Sequence, residues 1–316
     1  VGVLFFVARH LRQIDNMTRH FLTLRDLSPT ELGDIIRRAI TLKRAQGGGQ
    51  RLTLLDSRTM VLIFEQSSTR TRVSFEVACT QLGGSSVFLS PGDSQMSRGE
   101  SISDTARIVS SMADIIVLRT GSHDRVTAMA AHSQVPVINA LSDAFHPCQL
   151  LADIQTFCEH RGEMRDARVA FVGDGSSNVC QSWINAAALM QFSLHIGAPD
   201  LYRPHPEIVT AAGRWCTLTN QPSEAVAGAD LVVTDTWVGM GQEAKKAERL
   251  KAFHGFQIDS QMMAGAASDA LFMHCLPAYR GQEVAAEVID GPQSVIWDEA
   301  ENRLHAQKAL IEFLLA

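Results

Sequence analysis

A paired-thiol signature is the first thing this sequence lacks. Its six cysteines, Cys79, Cys148, Cys158, Cys180, Cys216 and Cys275, form no C-x-x-C pair and no regular framework. That speaks against structural zinc and disulfides and for reduced thiols in a cytoplasm. Positive charge is not in surplus either. With 28 Lys and Arg against 34 Asp and Glu, the net charge of −6 argues against general nucleic-acid binding, so any anion site must be a local group of arginines. Long hydrophobic runs are missing as well. Val3 to Ala8 is apolar but too short to span a membrane, and it has neither a basic start nor a small-residue cleavage site. No membrane partner and no targeting signal are expected. What remains is an ordinary globular composition, 46% hydrophobic and 20% charged, over 316 residues, which is long for one core and better suited to two domains.

The most informative stretch is Phe64-Glu65-Gln66-Ser67-Ser68-Thr69-Arg70-Thr71-Arg72-Val73-Ser74-Phe75-Glu76. It follows Met60-Val61-Leu62-Ile63-Phe64, short enough for a buried parallel strand, and leads into Val73, Val77 and Leu82, spaced for one face of a helix. Ser68 to Arg72 then occupy a strand-to-helix turn. The first N–H groups of a helix have no internal partner and carry the positive end of its dipole. Adding the hydroxyls of Ser68, Thr69 and Thr71 and the guanidinium of Arg70 makes a phosphate site. The plainer alternative is a polar helix cap holding two arginines, with Arg72 paired to Glu76 one turn on.

The rest of the chain alternates strands with helices. Ser28-Pro29-Thr30-Glu31 marks a helix start, with a run to about Arg44 and a stop in Gly47-Gly48-Gly49. Strands are expected at 86–89, 114–119 and 135–139, with a polar loop at 91–100 and helices over 101–112 and 147–158. The polar run 161–166 suits a domain boundary before a strand at 169–172. Further strands are expected at 193–196, 231–234, 271–274 and 294–297, and a last helix over 299–315. This pattern predicts an α/β protein of two domains, each a parallel sheet flanked by helices.

Several turns carry candidate chemistry. Arg119 ends an apolar strand, where open α/β sheets line their ligand crevice. The turn Gly173-Asp174-Gly175-Ser176-Ser177-Asn178 looks like a dinucleotide fingerprint, but it has no third glycine, and its aspartate would face a pyrophosphate. Asp235 follows another strand end and is either a helix cap or, with Asn178, a pair able to hold an α-amino acid: a carboxylate for the ammonium, an amide for the carboxylate. His274 and Cys275 are adjacent on an expected strand, so they should point to opposite faces and chelate a metal poorly together.

Three blocks in register, Ser68-Thr69-Arg70-Thr71-Arg72, His146-Pro147-Cys148-Gln149 and His274-Cys275-Leu276-Pro277-Ala278, resemble the aspartate/ornithine carbamoyltransferase family, its ornithine branch above all. The likeness runs from about Phe21 to the C-terminus. It implies a carbamoyl-phosphate domain at 17–160, rejoined by the C-terminal helix 299–316, and an ornithine domain at 161–298. Residues 1–16 would be an upstream extension, since Met17 precedes the family-like segment.

The resemblance further implies that Ser68, Thr69, Arg70, Thr71, Gln95, Arg119, His146, Gln149, Cys275, Leu276 and Arg303 bind carbamoyl phosphate. Of these Arg70, Arg119, His146 and Cys275 would be catalytic. Asn178, Asp235, Gly239 and Met240 would hold L-ornithine. The expected reaction gives L-citrulline and phosphate, as in arginine biosynthesis, without metal or organic cofactor. A homotrimer is implied too, with the Gln95 loop reaching a neighbour's site. One position departs from the family, which usually shows Ser-Met-Gly where this chain has Gly239-Met240-Gly241. That change leaves room for a related amine substrate, and within the family the putrescine, N-acetylornithine and aspartate transferases are the rival readings. A nicotinamide oxidoreductase using the Gly173 turn and a non-catalytic phosphate sensor are the readings from other classes.

Overall fold

The computed structural model describes residues 18–49, 52–239 and 243–316. The extension at 1–16 and the candidate Met240 lie outside the described residues.

The first half forms a four-stranded parallel sheet from β1 (Thr59–Phe64), β2 (Ser85–Leu89), β3 (Ile115–Arg119) and β4 (Val137–Leu141), in the order β2-β1-β3-β4. The second half forms a five-stranded parallel sheet from β5 (Arg168–Val172), β6 (Ser193–Gly197), β7 (Cys216–Thr219), β8 (Leu231–Thr234) and β9 (Leu271–His274), in the order β7-β6-β5-β8-β9. The helices of the first half are α1 (Pro29–Gly47), α2 (Thr69–Gln81), α3 (Ile102–Ser110), α4 (His123–His132) and α5 (Pro147–Arg161). Those of the second are α6 (Asn178–Met190), α7 (Pro206–Ala212), α8 (Pro222–Val226), α9 (Lys246–Ala252), α10 (Ser260–Met263), α11 (Ala286–Ile289) and α12 (Ile296–Leu315). Among the described residues no helix is long and apolar enough to cross a membrane.

The central strands β1, β3, β5 and β8 are almost wholly buried. Helices cover both faces, so their sequences read as continuous apolar runs rather than alternating ones. At α1 the expected cap is present: Ser28 Oγ accepts from the Glu31 N–H at 3.2 Å, and Glu31 Oε2 accepts from the Ser28 N–H at 2.8 Å. The C-terminal helix α12 packs back on the first half, against α1, α2 and α5.

Three local expectations are corrected. The apolar stripe of α2 is Phe75, Ala78, Cys79 and Leu82, whereas Val73 is exposed, because the stripe facing the sheet is set by the larger set of buried side chains. The segment 294–297 is not a strand. Only Ser294 bridges to Phe272, and Ile296 already opens α12; a four-residue apolar run does not distinguish strand from helix by periodicity. The edge strand β7 was not expected, since its threonine-rich Cys216–Thr219 carries little apolar signal.

Each sheet reverses its strand order at one place, between β1 and β3 in the first and between β5 and β8 in the second. Ligand crevices form at such points, beyond the carboxyl ends of the strands. Phe64 pairs with Arg119, so the 65–71 turn and Arg119 leave the first sheet side by side. Val172 pairs with Thr234, so the Gly173 and Asp235 turns leave the second sheet in the same way.

Candidate active site

The two crevices open on one cleft of about 590 Å³, lined by residues of both halves. On the first side stand Ser68, Thr69, Arg70, Thr71, Arg119 and His146; on the second, Asn178, Asp235, Gly239, Cys275 and Leu276, with Arg303 of α12 between them.

Ser68 caps α2, its hydroxyl accepting from the Thr71 N–H at 3.3 Å. The free N–H groups of this first turn face the cleft together with three guanidinium groups. Side-chain hydrogen bonds of two of them go to neutral groups: Arg70 Nη2 donates to the Leu276 carbonyl at 2.6 Å, and Arg303 donates to Gln149 Oε1 at 2.6 Å and to Thr71 Oγ1 at 3.2 Å. Arg119 is buried; burial, helped by Arg303 and Arg70, lowers its guanidinium to about 10. A concentration of cations held without carboxylate tips is a receptor for a multiply charged anion.

His146 begins α5 and is also buried. Burial, then Arg303, Arg119 and Arg70, hold its imidazole well below the usual histidine range, so the ring is neutral at physiological pH. Its Nδ1 makes no hydrogen bond among the described residues. The ring is fixed from behind by its backbone, which donates to Ser182 Oγ at 2.8 Å, and Ser182 in turn donates to the Asn178 carbonyl at 2.7 Å.

Opposite the arginines the cleft turns acidic. Asp235 accepts from the Thr236 N–H at 2.7 Å and from the Cys275 thiol at 3.3 Å. Burial raises its carboxyl above the ordinary aspartate range, and burial together with Asp235 and Glu299 pushes the Cys275 thiol well up, so Cys275 is a neutral thiol. Asn178 donates to the Ser142 carbonyl at 2.6 Å.

The expected separation of His274 and Cys275 does not hold. The strand ends at His274, the alternation ends with it, and Leu276 adopts the left-handed region at φ 57°. Ligand-type atoms of Asp235, His274 and Cys275 therefore lie within 4.8 Å of one another. They are engaged in hydrogen bonds: His274 Nδ1 accepts from the Leu276 N–H at 2.9 Å, His274 Nε2 lies 3.3 Å from Glu283 Oε1, and Cys275 donates to Asp235. With Nδ1 an acceptor, the ring N–H is on Nε2, facing Glu283.

Two sequence candidates stand away from the cleft wall. Gln149 is buried behind it, holding Arg303. Gln95 is exposed, on the turn Gln95–Arg98. Arg72 takes the plainer role, paired with Glu76 at 3.1 Å and stacked 3.6 Å over the Phe88 ring. Sequence reasoning missed Arg249. From α9 it joins Asp174 and the Trp237 carbonyl, with its guanidinium 4.5 Å from the Tyr202 ring centre, and so ties together the two turns that carry Asn178 and Asp235. Nothing in the polar run Lys246-Ala247-Glu248-Arg249 distinguishes it locally.

Residues 19–159 match the carbamoyl-P binding domain of aspartate/ornithine carbamoyltransferase, and residues 165–314 match its Asp/Orn binding domain. The chain belongs to the aspartate/ornithine carbamoyltransferase family. Among relatives of this carbamoyltransferase, the ornithine carbamoyltransferase of Nitrosococcus oceani is 57% identical over 94% of this chain and 97% of its own. A Pseudomonas aeruginosa protein named the anabolic ornithine carbamoyltransferase is 52% identical, also over 94% and 97%. The crystal structure of ornithine carbamoyltransferase from Burkholderia thailandensis superposes with a TM-score of 0.88 at 47% identity, covering 94% of this chain and 98% of that one. The Pyrococcus furiosus enzyme superposes at 0.89 and 42% identity, covering 94% and 97%.

Proposed function

We infer that the chain transfers the carbamoyl group of carbamoyl phosphate to the side-chain amine of L-ornithine, giving L-citrulline and phosphate in arginine biosynthesis. The observation that carries this reading is one cleft with Arg70, Arg119, Arg303 and the start of α2 on one side and Asp235 with Asn178 on the other. The names of the relatives point the same way.

Ser68, Thr69, Arg70, Thr71 and Arg303 take the phosphate and stabilise it as it leaves. Arg119 and the neutral His146, donating from a ring nitrogen, polarise the carbonyl oxygen as it becomes an oxyanion. Asp235 takes the α-ammonium of ornithine and Asn178 its carboxylate. Cys275 and the Leu276 carbonyl line the path of the attacking amine. Gln149 acts from behind, through Arg303. Residues 17–160 with 299–316 form the carbamoyl-phosphate domain, and 161–298 the ornithine domain. The subunits assemble as a homotrimer in which Gln95 reaches a neighbouring site. Exposed Val73 on α2, Val87 on β2 and Ile108 on α3, with Met112 beyond it, support a contact surface on that domain.

The deciding experiment offers carbamoyl phosphate with equimolar ornithine, putrescine, N-acetylornithine and aspartate, and resolves products by mass. Predominant citrulline is expected. Predominant carbamoylputrescine would mean that Gly239 marks a changed acceptor and would leave only the carbamoyl-phosphate half of the reading.

A further inference from the structure

Behind the floor of the cleft, α5 and α12 press two carboxyl groups together. Asp153 and Glu299 are each 1% exposed and in hydrogen-bond contact with one another. The Gln149 carboxamide bridges them, its NH2 donating to Asp153 Oδ1 at 2.8 Å and to Glu299 Oε1 at 2.9 Å. Because that NH2 is fixed on the two acids, the amide oxygen must face the other way, where it accepts from Arg303 at 2.6 Å. Glu299 also accepts the His274 N–H at 2.9 Å, which ties the network to the strand end that leads into Cys275 and Leu276.

Two ionised carboxylates in contact at a buried site repel, whereas one proton between them converts the contact into a hydrogen bond. The surrounding charges agree with a single negative charge. Arg303 favours it and Asp235, beyond β8, opposes a second one, while the Cys148 and Cys275 thiols nearby are kept neutral by burial. Glu299 takes the N–H donors of Gln149 and His274 and Asp153 takes the other N–H of Gln149, so the one proton lies between the two carboxyls and the one charge is shared by the pair.

We propose that Asp153 and Glu299 hold one proton between them and act as positioning residues for carbamoyl-phosphate binding: their single buried charge locks Gln149, which aims the Arg303 guanidinium into the cleft. The ligand named here rests on the function proposed above; the shared proton does not.

The test is infrared spectroscopy of the full chain without substrate at neutral pH, followed by steady-state kinetics. The parent protein is expected to show a protonated-carboxyl stretching band that disappears in Asp153→Asn, whose amide N–H replaces the shared proton. That variant keeps kcat and both KM values within about threefold. Asp153→Leu leaves Glu299 without a proton donor and frees one arm of Gln149. It raises KM for carbamoyl phosphate about tenfold or more with KM for ornithine little changed. If Asp153→Leu does not fold, Glu299→Gln takes its place: its amide oxygen must stay on the His274 N–H, which turns its NH2 against that of Gln149, and the same rise in KM is expected. Identical infrared spectra for parent and Asp153→Asn, or equal damage from the conservative and the disruptive variants, would overturn the proposal. An intact band without citrulline formation would instead overturn the proposed function and leave the shared proton standing.

Discussion

At the scale of single residues the cleft works by contrast of charge. Arg70 carries the most direct prediction, because it is exposed and, among the described residues, its guanidinium donates to the Leu276 carbonyl alone, at 2.6 Å. Arg70→Ala should fold normally and lower kcat by about 10²- to 10³-fold, the range for losing one donor to developing negative charge. Stopped-flow or steady-state citrulline assays measure this, and wild-type kcat/KM would exclude the role. The attacking amine has a free pKa of about 10.4, so making it neutral at pH 8 costs about 3 kcal/mol. The rate at subsaturating ornithine should therefore climb with pH through the neutral to alkaline range, and a flat profile there would contradict amine attack. Gly239→Ser restores one hydroxyl on the ornithine side. It should lower KM for ornithine by roughly fivefold, about 1 kcal/mol for one hydrogen bond, and leave KM for carbamoyl phosphate alone.

Among elements, the contact of α5 with α12 carries most of the consequence. It holds Arg303, a residue from the far end of the chain, beside Thr71 at the start of α2. It also makes stability depend on pH. Burial raises the Asp153 carboxyl to about 7 and Glu299 well above its usual range. Between about pH 4, where the unfolded acids ionise, and about pH 7, the native pair keeps at least one proton that the unfolded chain has lost. Stability from this pair is thus fully present at the acid end and falls as pH rises, by about 1.4 kcal/mol per pH unit for one proton. Urea unfolding of the parent and of Asp153→Asn across that window should show the difference: the variant curve is flatter by close to that slope.

For the molecule as a whole, the proposed trimer places Gln95 of one subunit at the site of another. Sedimentation should give three times the 34.5 kDa chain mass. A sharper check mixes two impaired proteins, Arg70→Ala and Gln95→Ala, after mild dissociation and reassociation. Random trimers then contain about a quarter of sites with both residues intact, and activity should recover toward that fraction. Continued inactivity would exclude a shared site.

Much of this protein was legible in the sequence. The alternation of short apolar runs with helical segments identified two parallel sheets, because a strand covered on both faces has no polar side. Ser68 to Arg72 read as an anion site because a helix start leaves its own N–H groups free. Arg119 and Asp235 stood out as polar residues closing apolar strands. The register that sets Phe64 beside Arg119 and Val172 beside Thr234 came only with the tertiary structure, since strand order is decided by packing between distant segments. The same holds for Arg249, Asp153 and Glu299. Their neighbours in sequence are ordinary helix residues, and their roles arise from partners about 75 to 150 residues away. Local chemistry is written along the chain; the pairing of buried charges is a property of which helices meet, and folding alone decides that.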